Sequence, residues 1–201
     1  MIYFTSDTHL GHKNIIKYCN RPFESVEEMD QTIINNWNKV VKKDDTVYHL
    51  GDFCSWSGKD YFKKYTTYRN SLNGQIFLVQ GNHDKNIGAP FPYNLLGKVP
   101  LITIKHGGKK ITLCHYAMRV WDGSHFDAWH LYGHSHATLD PQGKSYDVGV
   151  DNNAFTPISF DELKFIMKMR PHNLNWLTKL KGYNKEEYLE EKKKRGYDTD
   201  V

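Results

Sequence analysis

The chain is poor in cysteine, and its cysteines are not spaced as pairs. Cys19, Cys54 and Cys114 are the full set among 201 residues. An odd count without a C-x-x-C spacing argues against a disulfide framework and against a thiolate zinc site. Cys54 and Cys114 read as small buried apolar groups. Long apolar runs are also missing, and no stretch approaches the roughly 18 residues of a membrane span. Met1 to Thr5 runs straight into a strand pattern, without a basic region ahead of an apolar core, so no secretory leader is expected. The expectation is a cytoplasmic protein with no membrane partner. Charge of one sign is scarce as well: 27 Lys and Arg against 23 Asp and Glu leave +4. So mild an excess admits an anionic substrate without demanding nucleic acid. No internal repeat and no linker-like stretch divides the chain.

What is present suits one domain over residues 1–201, long enough to bury about 70% of its unfolded surface. Apolar runs predict strands at Ile2–Ser6, Thr46–Leu50, Gln75–Val79, Leu101–Lys105, Lys110–Cys114, His130–Tyr132 and Tyr146–Val150. Val26, Met29, Ile33, Trp37 and Val40 step by three or four and form one helical stripe. Ser25 with Glu28, and Ser159 with Glu162, have the spacing of capping boxes. A third helix is predicted over Lys59–Leu72. Gly107-Gly108 between two strands signals a hairpin. The charged stretch 181–201 reads as a peripheral helix, with Glu190 and Lys194 at helical spacing. Strand–helix alternation followed by a strand-rich middle predicts an α/β fold of two mixed sheets with helices outside.

Five short polar motifs follow, in order, along these elements. They are Asp7-Thr8-His9, Gly51-Asp52, Gly81-Asn82-His83-Asp84, His115 and Gly133-His134-Ser135-His136. Most stand at predicted strand ends, where α/β sheets place ligands. Residues two apart in extended chain share a side, so Asp7 and His9 are predicted to converge. Together the motifs offer enough carboxylate, amide and imidazole donors for two adjacent divalent ions, a device for hydrolysing phosphate esters. The donor set has no thiolate, which fits Mn²⁺, Fe, Zn²⁺, Ni²⁺ or Mg²⁺, with Mn²⁺ the favoured choice in vitro.

This succession, D-x-H, G-D, G-N-H-D, a single His and G-H-x-H, resembles the signature of the calcineurin-like metallophosphoesterase superfamily, in particular its compact bacterial and phage members. It spans Asp7 to His136. The resemblance implies a four-layered αββα sandwich of two mixed sheets flanked by helices. It implies that Asp7, His9 and His136 bind one ion, that Asn82, His115 and His134 bind the other, and that Asp52 bridges them. It further implies direct attack of a metal-bridging hydroxide on a phosphodiester or phosphomonoester, with His83 as general acid. Asp84 would orient His83, cap a turn, or do both. The second motif lacks the G-D-x-x-D-R-G pattern of the protein phosphatase branch, and the stretch after His136 leaves little room for a nuclease capping domain.

Around this core the roles stay open. Arg21 and Arg119 are candidate phosphate contacts or surface ion pairs. His12 either lines the site or caps a helix, and the long loop from Tyr116 to Trp129 is a candidate specificity element. The substrate class expected is a phosphoester, with nucleotides and nucleic acid among its members. A DNA or RNA nuclease, or a non-catalytic scaffold on the same fold, are the alternatives. Oligomeric state is left undetermined.

Overall fold

The computed structural model describes residues 1–55, 61–84, 99–176 and 185–194. The predicted positions 56–60, including the end of the second-motif stretch and the start of the third helix, lie outside them. So do 181–184 and 195–201 of the charged tail; the part between is a helix, α5 (Lys185–Lys194).

The first half alternates as predicted: β1 (Ile2–Thr5), α1 (Lys13–Tyr18), α2 (Val26–Val40), β2 (Thr46–His49), α3 (Tyr61–Ser71) and β3 (Gln75–Leu78). The strand-rich part brings β4 (Leu101–His106), β5 (Lys109–Cys114), β6 (Trp129–Tyr132), β7 (Ser145–Asp147) and β8 (Ile158–Ser159), then α4 (Phe160–Met169). One sheet has the order β3-β2-β1-β8 and the other β4-β5-β6-β7. Both are mixed. β8 runs antiparallel to β1, and β4 antiparallel to β5, while the remaining pairs are parallel. Two mixed sheets flanked by helices are the architecture the motif order implied.

Strand alternation sorts the core into two clusters. Tyr3 of β1, Val47 of β2 and Ile76 of β3 face Met29, Ile33 and Trp37 of α2. The next residue, Phe4, turns to the opposite face and joins Ile111 and Leu113 of β5 and Leu131 of β6 between the sheets. Trp37 is fully buried, and its indole N–H donates to Asn73 O at 2.9 Å. Burial of a side chain that large stabilises by roughly 3 kcal/mol.

The helix caps divide. At α4 the Ser159–Glu162 box is complete, because Ser159 Oγ accepts from Glu162 N and the Glu162 carboxylate accepts from Ser159 N. At α2 only half of it forms. Ser25 Oγ accepts from Glu28 N at 3.1 Å, but the Glu28 carboxylate takes the Glu24 amide instead. The Gly107-Gly108 hairpin joins β4 to β5 with positive φ at both glycines (54° and 73°), the conformation two-residue hairpin turns need.

The sheets also meet through main chain. Ser6 bridges to Gly149, and Val150 N donates to Ser6 O at 3.0 Å. This tie brings the end of β1 alongside a 3-10 turn at Val150–Asn152. No helix among the described residues is long and apolar enough to cross a membrane.

Candidate metal centre

All five motifs lie just beyond the carboxyl ends of β1, β2, β3, β5 and β6, where successive strands deliver their loops to one place. The backbone there is not the extended chain the sequence predicts. β1 stops at Thr5, and Asp7 and His9 have φ of 57° and 48°. Asp52, His134 and His136 are left-handed too, at 57°, 66° and 46°. The convergence of Asp7 and His9 therefore comes from two left-handed residues, not from a pleat. Their amides are fixed by Gly51 O and Asp52 O at 2.9 and 3.0 Å. Between them Thr8 serves structure, donating to Phe53 O at 2.6 Å and meeting His49 Nε2 at 2.9 Å.

Two groups of donor atoms result, each spanning less than 4.8 Å: Asp7 with His9 and His136, and Asp52 with His115 and His134. Asn82 adjoins the second, its Oδ1 3.0 Å from His115 Nε2. Each carboxylate divides its work. Asp7 Oδ2 accepts from His134 N at 2.9 Å, while Oδ1 is buried and has no hydrogen-bond partner. His9 Nε2 is likewise buried and unpartnered. Asp52 Oδ1 accepts from His83 N at 2.8 Å, and Oδ2 lies 3.6 Å from His9 Nε2 and 3.5 Å from His115 Nε2. Two ligands about 2.1 Å from one ion at tetrahedral or octahedral angles stand roughly 3.0–3.4 Å apart, so these separations are close to ligand spacing. Unpaired buried polar atoms are costly unless something meets them. Asp7 Oδ1 and His9 Nε2 therefore fit a cation.

Glycine makes the approach possible. A Cβ on Gly133 would stand 2.1 Å from Ser6 Oγ and 2.2 Å from Asp7 Oδ2, and one on Gly81 would stand 2.3 Å from Asp52 Oδ1. No other residue fits against these carboxylates.

The electrostatics point the same way. Burial pushes the Asp7 carboxyl up to about 6, a cost that a cation beside Oδ1 would reverse. Burial also raises Asp52, but hydrogen bonding and charge from His115, with the charge of His9, hold it below the usual carboxylate range. Burial drives His9 well down and lowers His134, with His115 adding to it. His136 goes the other way. Burial opposes its charge, yet the bond to Asp151, with Cys19, Asp7 and the Asp151 charge, lifts it to about 10.

The remaining predicted residues take different places. His83 is partly exposed, with Nε2 3.9 Å from Asp52 Oδ2 and its ring 5.3 Å from that of His9. Asp84 is fully buried and acts as a cap. Its two oxygens accept from the amides of Asp52, Phe53 and Gly81 at 2.7–3.2 Å, which ties the second motif to the third. His12 occupies the N-cap position of α1, but its side chain makes no cap bond; its ring lies 5.5 Å from His9 and 6.2 Å from His83. Arg21 turns inward and takes the ion-pair alternative. Its guanidinium is buried, forked onto Asp151 at 2.8 and 2.8 Å, and donates to the carbonyls of Asp7 and Thr8. Arg119 is exposed in the loop after β5.

Several residues that sequence reasoning passed over turn out to support the centre. Asp151 accepts from His136 Nδ1 at 2.7 Å. Asp147 takes the Ser135 hydroxyl and the amides of Ala137 and Gly149. Cys19, treated with the others as an isolated cysteine, stands beside His136 and Asp151. An acidic residue inside the predicted strand Tyr146–Val150 and another just past it were the available signal for Asp147 and Asp151.

A family model described as calcineurin-like phosphoesterase matches residues 1–191. The uncharacterized protein MJ1445 of Methanocaldococcus jannaschii is 41% identical over 170 residues, covering 80% of this chain and 87% of that protein. The gene 66 protein of Mycobacterium phage L5 is 40% identical over 92 residues, 46% of this chain and 42% of its own. Among solved structures, a protein of unknown function from Aquifex aeolicus, AQ665, aligns with a TM-score of 0.65 at 29% identity over 83% of this chain and 98% of that one. With the donor groups and strand-end loops described above, the match over residues 1–191 establishes that the chain belongs to the calcineurin-like phosphoesterase family.

Proposed function

We propose that the protein is a binuclear metal-dependent phosphoesterase that hydrolyses phosphodiester or phosphomonoester bonds without a covalent intermediate. The observation that carries this reading is the position of Asp52 Oδ2, between His9 Nε2 of one donor group and His115 Nε2 of the other. An anionic oxygen shared in this way offsets the repulsion between two cations. Asp7, His9 and His136 hold one ion, Asn82, His115 and His134 the other, and Asp52 joins them. When bound, the ions supply Lewis acidity and a water of lowered pKa. The chain's own residues place the ester and handle the proton. His83 has its main-chain N–H bonded to Asp52 Oδ1, so the imidazole is fixed relative to the bridging carboxylate. In its protonated form it donates to the leaving oxygen. His12, beside His9 and His83, lines the same mouth.

Mn²⁺ is the ion to test first, and Fe, Zn²⁺, Ni²⁺ and Mg²⁺ suit the same oxygen and nitrogen donors. The test is hydrolysis of bis-p-nitrophenyl phosphate and p-nitrophenyl phosphate by purified protein with each ion, with and without chelator. Chelator-sensitive hydrolysis that disappears in Asp52→Asn is the expected result. Hydrolysis of neither ester with any of the ions would turn the reading to a non-catalytic scaffold.

A further inference from the structure

We infer that Arg21 and Asp151 form a positioning clamp that holds Asp7, His9 and His136 facing one another before an ion arrives, so that this group takes its ion first and more tightly than the group built on Asp52, His115 and His134. The inference rests on the two-ion reading of the site.

The clamp is built from both ends of the chain. Asp151 sits on the 3-10 turn that the Ser6–Gly149 bridge holds against β1. Its Oδ1 takes Arg21 Nε and its Oδ2 takes Arg21 Nη2, each at 2.8 Å. A planar guanidinium matches a carboxylate in this two-pronged way, and lysine does not. The same guanidinium donates to Asp7 O at 2.7 Å and Thr8 O at 3.2 Å. One cation therefore grips the main chain that bears the first ligand and the carboxylate that orients the third. The Arg21 side chain has no exposed surface, and that of Asp151 is 8% exposed. Removing Asp151 would leave the Arg21 guanidinium buried without a carboxylate.

Asp151 reaches the site through His136. With Nδ1 directed at Asp151, His136 turns Nε2 toward Asp7 Oδ1, 3.9 Å away. An imidazole that gives one nitrogen to a carboxylate keeps the other as the donor atom for an ion. Both Asp151 oxygens are engaged by Arg21 and His136, and its part in the clamp is to position His136. The second group is framed at only two of its members. Asp84 ties the amides around Asp52 and His115 Nδ1 meets Leu50 O at 2.8 Å, while His134 is exposed and rests on the rings of His115 and Tyr116.

The test is calorimetric titration of metal-free protein with Mn²⁺ alone. Wild type is expected to bind in two steps. In Asp151→Asn and in Arg21→Lys the tighter step should weaken roughly 10–100-fold, with the weaker step held within about threefold. His134→Ala should abolish the weaker step only, and adding Asp151→Asn to it should weaken the step that remains. A core variant such as Ile33→Val, which loosens the fold away from the site, should leave the tighter step alone. Should Asp151→Asn fail to fold, Arg21→Lys, which keeps the charge but loses the fork, carries the test. The clamp is overturned by folded variants with an unchanged tighter step, by equal weakening of both steps, or by wild type that binds no Mn²⁺. Because the titration uses no substrate, stepwise binding in a protein inactive on every ester would overturn the phosphoesterase reading and leave the clamp standing.

Discussion

The two donor groups share their chemistry and differ in their support. Asp7, His9 and His136 are buried or half-buried, and an inter-sheet bridge, a two-pronged ion pair and a carboxylate-oriented imidazole stand behind them. Asp52 and His115 are as deeply buried, but their third partner, His134, is exposed and packs against the exposed Tyr116. The difference teaches that a symmetrical ligand list need not give a symmetrical centre. One half is framed by the fold's own main chain. The other opens toward the loop after β5.

The largest effect should come from the atom common to both halves. Asp52→Asn is expected to lower turnover on the order of 10³-fold and to weaken both Mn²⁺ steps, read by stopped assays and calorimetry. Loss of only one step would break the bridging assignment. His83→Ala should leave both steps in place while turnover falls on the order of 10²-fold, most with a poor leaving group. Full activity in that variant would remove His83 from the reaction. A smaller effect should separate the halves: His136→Ala should raise the Mn²⁺ concentration needed for half-activity at least about tenfold more than His134→Ala does, since a ligand with its own orienting partner is costlier to lose.

The smallest is a pH effect on the more open side. Burial lowers His130 from 6.5 to about 4, and its Nε2 accepts from Met118 N at 3.1 Å, anchoring the loop that starts at Tyr116. The neutral ring is favoured in the fold, so its contribution is full above 6.5 and is lost as pH falls toward 4. The share of stability carried by His130 should drop by about 1 kcal/mol per pH unit in that window. Urea titrations at pH 7, 6 and 5 should show a slope in His130→Phe that differs from that of wild type by this amount.

Much of this was legible in the sequence. The strand runs, the α2 stripe and the order of the five motifs placed the centre, because period and polarity are local properties. What was not legible depended on burial and on contacts between distant segments. For Arg21 a phosphate contact and an ion pair stayed open, since a sequence reveals a cation but not the carboxylate 130 residues away that holds it. For Asp84 the sequence left open orienting His83, capping a turn, or both, and its oxygens serve three amides. Asp151 carries no motif, and its role exists only because Ser6 and Gly149 bring the sheets together. The pleat argument for Asp7 and His9 reached the right convergence by the wrong backbone.

That backbone has a consequence for how the protein can change. Five of the proposed ligands sit in a conformation that costs an ordinary residue roughly 1 kcal/mol and glycine almost nothing. Drift toward glycine would relax that backbone at the cost of a donor atom, and at Asp7, Asp52 and His136 at the cost of a hydrogen bond as well. Thermal selection without a demand for turnover should therefore erode the centre first at His9 and His134.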